Sequence, residues 1–122
     1  PMAKKKCMTI EDFRDENLLM FNVDSVQNEL LKNRFDQLKL NPRIIMRSSQ
    51  LYTTLKFIDN GSCGCFLFSD MLPHFKQYKG IPLEPPIDVN IGIVWKKGNF
   101  LSHSAQLFID FAMQYCSENI TT

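Results

Sequence analysis

The chain has 122 residues, of which 44% are hydrophobic and 22% charged, the composition of an ordinary globular domain and not of a disordered segment. Its 14 basic and 13 acidic residues leave a net charge of +1, which excludes a module that grips nucleic acid by charge alone. A chain this long makes one domain rather than two and buries roughly two-thirds of its unfolded surface; its apolar runs, such as Ile91 to Trp95, are too short to span a bilayer.

The chain begins Pro1-Met2-Ala3-Lys4-Lys5-Lys6. No apolar stretch follows this basic start, so no secretory signal is expected. Thr9 to Asp12 reads as a short capped turn. Leu18 to Val23 is a compact apolar run, expected to be a buried strand. Asp24 and Ser25 suit a helix N-cap. Val26, Leu30, Leu31, Phe35 and Leu38 then recur at helical spacing, with Gln27, Asn28, Lys32, Arg34 and Asp36 on the other side. This predicts an amphipathic helix of about four turns, ended by Asn41-Pro42. Arg43 to Arg47 is the second strand. Ser48-Ser49-Gln50 starts a second helix carrying Leu51, Leu55 and Ile58, which stops at Asn60-Gly61. Cys63 to Phe68 is a third strand, and Ser69-Asp70 caps a helical piece from Met71 to Tyr78. Prolines extend Ile81 to Pro86. Asp88 to Trp95 is expected as a fourth strand. After the turn Lys96 to Asn99, a last helix begins near Ser102, with Ala105, Phe108, Ile109, Ala112 and Cys116 on one stripe.

Strand and helix alternate, the order of a parallel α/β layer, with right-handed crossovers placing helices on the sheet faces. No repeat and no low-complexity linker divides the chain.

The familiar catalytic motifs are missing: no nucleophile elbow, phosphate loop or dinucleotide glycine pattern occurs. Asp70 and His74 lie four apart, with Ser69 as a candidate nucleophile partner. Adjacent helical residues face different ways, so the ordinary reading is a capping Asp70 and a surface His74. Asp12 and Glu16 read as a solvated face. Of the four cysteines, Cys7, Cys63, Cys65 and Cys116, three stand in apolar or strand-like surroundings, where the ordinary reading is a small buried thiol in a reducing, cytosolic setting. Cys63-Gly64-Cys65 is a CxC rather than a CxxC. On a strand both sulfurs would share a face, but His74 and His103 stand at no ligand spacing. The expectation is no metal and no cofactor.

Binding is better supported. In an open α/β sheet, ligands collect beyond the carboxyl ends of the strands. Asn22-Val23-Asp24-Ser25 and Arg47-Ser48-Ser49-Gln50 stand at two such ends, each also a helix start with free N–H groups. The ordinary alternative is that these serines only cap their helices. Asp24 disfavours a multiply charged anion unless Arg47 compensates, so a small polar or singly charged ligand is expected.

Several segments in order resemble one family. They are Pro1 to Lys6, Met8 to Phe13, Glu16 to Phe21, Ile44 to Leu51, Asn60 to Phe68, Ile81 to Leu83, Asn90 to Lys97, and Leu101 to Ala105 with Phe108 to Phe111. Together they resemble the second lobe of the effector-binding domain of LysR-type transcriptional regulators. The resemblance covers nearly the whole chain. It implies an α/β, three-layer, mostly parallel sheet, one lobe of a fold like a type II periplasmic binding protein. Residues 1–89 would form the second lobe. Residues 90–122 would form the return strand and C-terminal helix that the family packs on a first lobe. The family's helix-turn-helix and the first lobe's opening elements are not in this sequence, so a partial domain is expected.

Carried over by position, the cleft-facing residues are Asn22 and Ser25 after the first strand, Ser48, Ser49 and Gln50 after the second, and Phe68 and Ser69 at the end of the third. This sequence lacks the proline that the family often has near Phe68 and Ser69, and it has an extra residue around Ser62 to Gly64. The implied function is effector sensing in a cytoplasmic, non-enzymatic regulator. DNA would be met only through the missing N-terminal domain, with a homo-oligomer as the working form and no membrane. The last helix's stripe, shaped for a missing lobe, is expected to drive self-association or helix exchange. The alternative is a lobe of a transporter-associated solute-binding protein, against which the lack of a signal and the free cysteines count.

Overall fold

Three short strands pair in parallel, and the middle one explains the rest. A computed structural model describes residues 4–119 of the chain; the Pro1–Ala3 start named above lies outside them. The elements are β1 (Asn17–Met20), α1 (Val26–Gln37), β2 (Arg43–Arg47), α2 (Leu51–Ile58), β3 (Gly64–Cys65) and α3 (His103–Asn119), with 3₁₀ turns at Ile10–Phe13 and Ser69–His74. The sheet order is β2-β1-β3, and both pairs are parallel.

Central β1 is covered on both faces, so Leu18, Leu19 and Met20 are all buried, as a parallel inner strand requires. Edge strand β2 alternates instead: Ile44 and Met46 are half-buried while Arg43, Ile45 and Arg47 are exposed. Leu18 stands opposite Ile44, and a bulge then sets Leu19 opposite Met46. Leu18 and Met20 join Ile10, Leu31, Phe35 and Leu40 in the core, with Phe13, Ile44, Phe66, Leu83 and Ile87 packed around them. Phe35 is only 1% exposed, and the rings of Phe13 and Phe66 lie 4.9 Å apart.

Local chemistry sets the ends. The Asp12 carboxylate accepts from the Thr9 N–H at 2.8 Å and meets Lys5 Nζ at 2.6 Å. The Lys5 bond, and then the Thr9 N–H, hold that carboxyl below its usual range. Helix α1 closes through Lys39, whose φ is +54°. The Leu40 N–H reaches the Phe35 carbonyl at 2.9 Å, the six-to-one bond of a Schellman ending, with buried Leu40 as its apolar contact. This ending stops the helix before Asn41-Pro42 is reached. Helix α2 ends at Gly61, left-handed with φ +73°. Beyond it the Tyr78 hydroxyl lies 2.5 Å from Asp59 Oδ1 and 3.2 Å from the Leu55 carbonyl, stapling the following segment to α2.

Several elements differ from expectation. Strand β3 is two residues long, not Cys63 to Phe68. It meets β1 only at Leu18–Gly64 and Leu19–Cys65, and β1 stops at Met20, short of Val23, because the Ser25 N–H turns back to the Asn22 carbonyl. Phe66 onward therefore has no partner strand. The piece expected from Met71 to Tyr78 is a 3₁₀ turn at Ser69–His74; Pro73 inside it lacks an N–H and cannot sustain a longer helix. Asp88 to Trp95 has no regular secondary structure and forms no ladder with any described residue, and Ile91 is 98% exposed. Leu83 does pair, in a parallel bridge to Met8.

Contacts divide the chain after Asp88. From Val89 onward an irregular run leads through a turn at Gly98, φ +81°, into α3, whose Ala105 N–H is capped by Ser102 Oγ at 3.2 Å. No α3 side chain is buried. Ala105, Ile109 and Ala112 are half-buried, but Phe108 and Cys116 of the expected stripe are exposed.

Candidate functional site at the carboxyl edge of the sheet

Because the three strands run the same way, their exits gather at one edge. The chain leaves β1 through Phe21 to Ser25, β2 through Ser48 to Gln50, and β3 through Phe66 to Ser69. Polar groups tie these exits together. The Ser48 N–H donates to the Met20 carbonyl at 3.1 Å. Arg47 Nη1 donates to the Phe21 carbonyl at 3.0 Å and to Asn28 Oδ1 at 2.5 Å. Asn28 Nδ2 holds the Val23 carbonyl at 3.3 Å, and Gln27 Nε2 reaches the Phe66 carbonyl at 2.9 Å.

Asn28 is thus a buried joint, 5% exposed, and not a member of the solvated face where the helical spacing placed it. Gln27 is likewise half-buried. Both stand in the first turn after the Ser25 cap. That turn lies against the strand exits, so its polar side chains meet carbonyls that lack sheet partners. This position was the one available signal for them.

Of the expected contact residues, Ser25 and Phe68 line a cavity of about 310 Å³ with Phe21, Val26, Gln27, Leu51, Leu67 and Met71. Asn22, Ser48, Ser49, Gln50 and Ser69 belong to the same strand exits but do not line it. The Ser25 hydroxyl is engaged already: it accepts from the Asn28 N–H at 3.1 Å and donates to the Asn22 carbonyl at 2.8 Å. Ser48 Oγ accepts from the Gln50 N–H at 3.0 Å. Ser49, Gln50, Asn22 and Ser69 are exposed. Gln50 is the N-cap of α2, and its side chain caps nothing, bonding instead to the Thr53 hydroxyl. The first α2 amides, Leu51 to Thr53, therefore have no helical partner and no side-chain cap, which suits them to an anionic group. The cavity wall beside them is apolar. The edge as a whole can hold a molecule with an apolar body and one polar end.

Among the described residues no group of three or more His, Cys, Asp and Glu could hold a metal ion. Ser69, Asp70 and His74 share a 3₁₀ turn; at three residues per turn, positions four apart do not stack.

The family model of the LysR substrate binding domain matches residues 1–117. The chain belongs to the LysR substrate binding domain family. A curated relative, the uncharacterized HTH-type transcriptional regulator YybE of Bacillus subtilis (strain 168), is 24% identical over 120 residues, which cover 97% of this chain and 41% of the relative. The chain therefore spans about two-fifths of that regulator's length. Membership of that family implies a periplasmic-binding-protein-like fold, and the parallel sheet with its helices is consistent with that fold. No described helix is long and apolar enough to cross a membrane.

Proposed function

We propose that this chain is the effector-sensing second lobe of a LysR-type transcriptional regulator. Residues 1–89 form the lobe, and residues 90–122 form the return segment and C-terminal helix that meet a first lobe. The effector is a small, singly charged or uncharged polar molecule whose apolar body rests on Phe21, Val26, Leu51 and Phe68. Its polar end faces Ser48, Ser49 and the free amides that open α2. Asn22, Ser25 and Ser69 shape the rim.

The observation that carries this reading is the joining of three parallel strand exits around the 310 Å³ cavity. The Arg47–Asn28 bond fixes two of those exits. An effector held between lobes shifts the regulator only by binding one arrangement better than another. DNA is contacted through a part of the protein outside this chain, the regulator acts as a cytoplasmic homo-oligomer, and no reaction is catalysed. A solute-binding protein lobe would use the same sheet edge, but the curated relative is a transcriptional regulator.

The test is a thermal-shift screen of the intact two-lobe domain against small carboxylic acids with aliphatic or aromatic bodies. A binder at one hundred times its Kd stabilises by about 2.7 kcal/mol. Phe68→Ala and Ser49→Ala should each weaken that binder at least tenfold. A binder indifferent to both substitutions would refute the assignment of the edge.

A further inference from the structure

A second cavity within residues 4–88, larger than the one at the carboxyl edge, lies elsewhere. It has a volume of about 580 Å³ and includes Glu16, Ser62 and Cys63 at the other end of the strands. Cys63 and Cys65 both line it, with Leu55 and Ile58 of α2 and with Tyr78. The effector reading has no use for these thiols.

Their placement is specific. Gly64 and Cys65 form β3, so the chain between the two cysteines is extended. Residues two apart on a strand have Cα atoms roughly 6.6 Å apart and side chains on one face. Cys63 Sγ lies 3.7 Å from the Phe57 carbonyl of α2, so the thiol points at that helix. Cys65 lines the same cavity wall as Leu55 and Ile58 of α2, and the Tyr78 hydroxyl reaches that helix at the Leu55 carbonyl. Both sulfurs therefore face the space between β3 and α2.

A direct disulfide fits this spacing poorly, because it needs Cβ atoms about 3.5–4.5 Å apart. An atom bridging the sulfurs fits better. Two metal–sulfur bonds of about 2.3 Å each, the length of a zinc–thiolate bond, span about 4.6 Å in a line, which two cysteine side chains leaning together from one strand face can accept. The geometry points to a two-sulfur site for a soft divalent ion that is content with two ligands, mercuric ion being the type case. Thiolates select soft ions. Zinc asks for four ligands, and among the described residues no third His, Cys, Asp or Glu completes a set. Charge selects further. A divalent ion with two thiolates is neutral, whereas a monovalent ion with two thiolates carries a net negative charge into apolar surroundings, at a desolvation cost. On binding, two S–H bonds break, two S–metal bonds form and two protons pass to the buffer. Nothing is oxidised or reduced.

The chain has four cysteines, and Cys7 and Cys116 are free and exposed. Cys7→Ser with Cys116→Ser therefore leaves the pair alone in the full chain. Titration with mercuric chloride, followed by ultraviolet thiolate–mercury absorption and by proton release in weak buffer, should show one ion per chain and two protons released per ion. Zinc and silver should bind at least tenfold more weakly. Cys63→Ser, at a half-exposed position whose replacement spares the fold, should weaken mercury at least tenfold and halve the proton release. Two ions per chain, unchanged affinity in Cys63→Ser, equal affinity for zinc, or rapid closure of a Cys63–Cys65 disulfide by diamide would each overturn the proposal.

Discussion

Residues 4–88 and residues 89–119 use similar materials to different ends. Helix α1 has 12 residues and buries Leu31 and Phe35. Helix α3 has 17 residues, among them Phe108, Phe111 and Tyr115, and buries none. What separates them is a sheet. Before Asp88 a parallel sheet offers an apolar face, and α1 covers it. After Val89 the run expected as a strand forms no ladder with any described residue, and Val94 and Phe100 each stand 93% exposed. An apolar stripe states that a face is suited to burial; it does not state what will cover it.

The sharpest way to break this comparison is to remove one large ring from each region. Phe35→Ala empties a site closed on every side and should cost about 3–5 kcal/mol. Phe108→Ala removes a side chain that is 62% exposed and should change stability by no more than about 0.5 kcal/mol. Urea melts of the full chain, followed by circular dichroism, measure both. Equal losses would mean that α3 is as deeply packed as α1, and the contrast between the regions would collapse.

Next in size is a pH effect confined to the packed region. The Cys65 thiol has its ordinary value of 9.0 raised to about 11 by burial. A group with a raised folded value contributes stability that is fully present below its unfolded value and is lost as pH rises through the folded one. Stability should therefore hold up to about pH 9 and then fall by up to about 1.4 kcal/mol per pH unit until about pH 11. Cys65→Ala should flatten that slope relative to the parent chain. A slope unchanged in the variant would place the alkaline loss elsewhere.

These two regions also show what a sequence can and cannot disclose. Helix α2 and strand β2 lie where the spacing put them, because local signals mark their ends: Ser48 to Gln50 before the helix, Asn60-Gly61 after it, and a run of Ile and Met bounded by arginines. The parallel direction followed from the alternation of elements. Strand β3 and the run from Asp88 to Trp95 were misjudged because a strand is defined by a partner distant in the chain. Nothing in Phe66 to Phe68 records that β1 ends at Met20, and nothing in Ile91 to Trp95 records whether another edge is near. The strand-exit serines were legible from the order of strands and caps. The Arg47–Asn28–Val23 chain of bonds was not, since an asparagine among polar neighbours on a helix reads as solvated. Asn28→Ala tests that joint. It removes the donor to the Val23 carbonyl and one of the two acceptors of Arg47 Nη1 and should cost about 1–3 kcal/mol, whereas exposed Gln106→Ala in α3 should cost under about 0.5 kcal/mol. A neutral Asn28→Ala would mean that water replaces the side chain at no loss, and that the strand exits do not depend on it.

The smallest predicted difference is the most even comparison, because the same cap chemistry occurs once in each region. Ser25 Oγ accepts the Asn28 N–H at 3.1 Å, and Ser102 Oγ accepts the Ala105 N–H at 3.2 Å. Each bond satisfies one of the first free amides of its helix, and each should be worth about 1 kcal/mol to that helix. The consequences should differ because α1 buries Leu31 and Phe35 in a core of its own unit, whereas α3 buries no side chain. Ser25→Ala should lower the unfolding free energy of residues 4–88 by about 1 kcal/mol, and every slowly exchanging amide in β1 and α1 should speed up together. Ser102→Ala should leave those amides unchanged and speed exchange only within the first turns of α3, where opening is already local. Hydrogen exchange resolved by residue reads both effects in one measurement. If Ser102→Ala accelerated exchange in β1, the two regions would unfold as a single cooperative unit, and the burial of α1 and the exposure of α3 would have to be explained by one equilibrium rather than two.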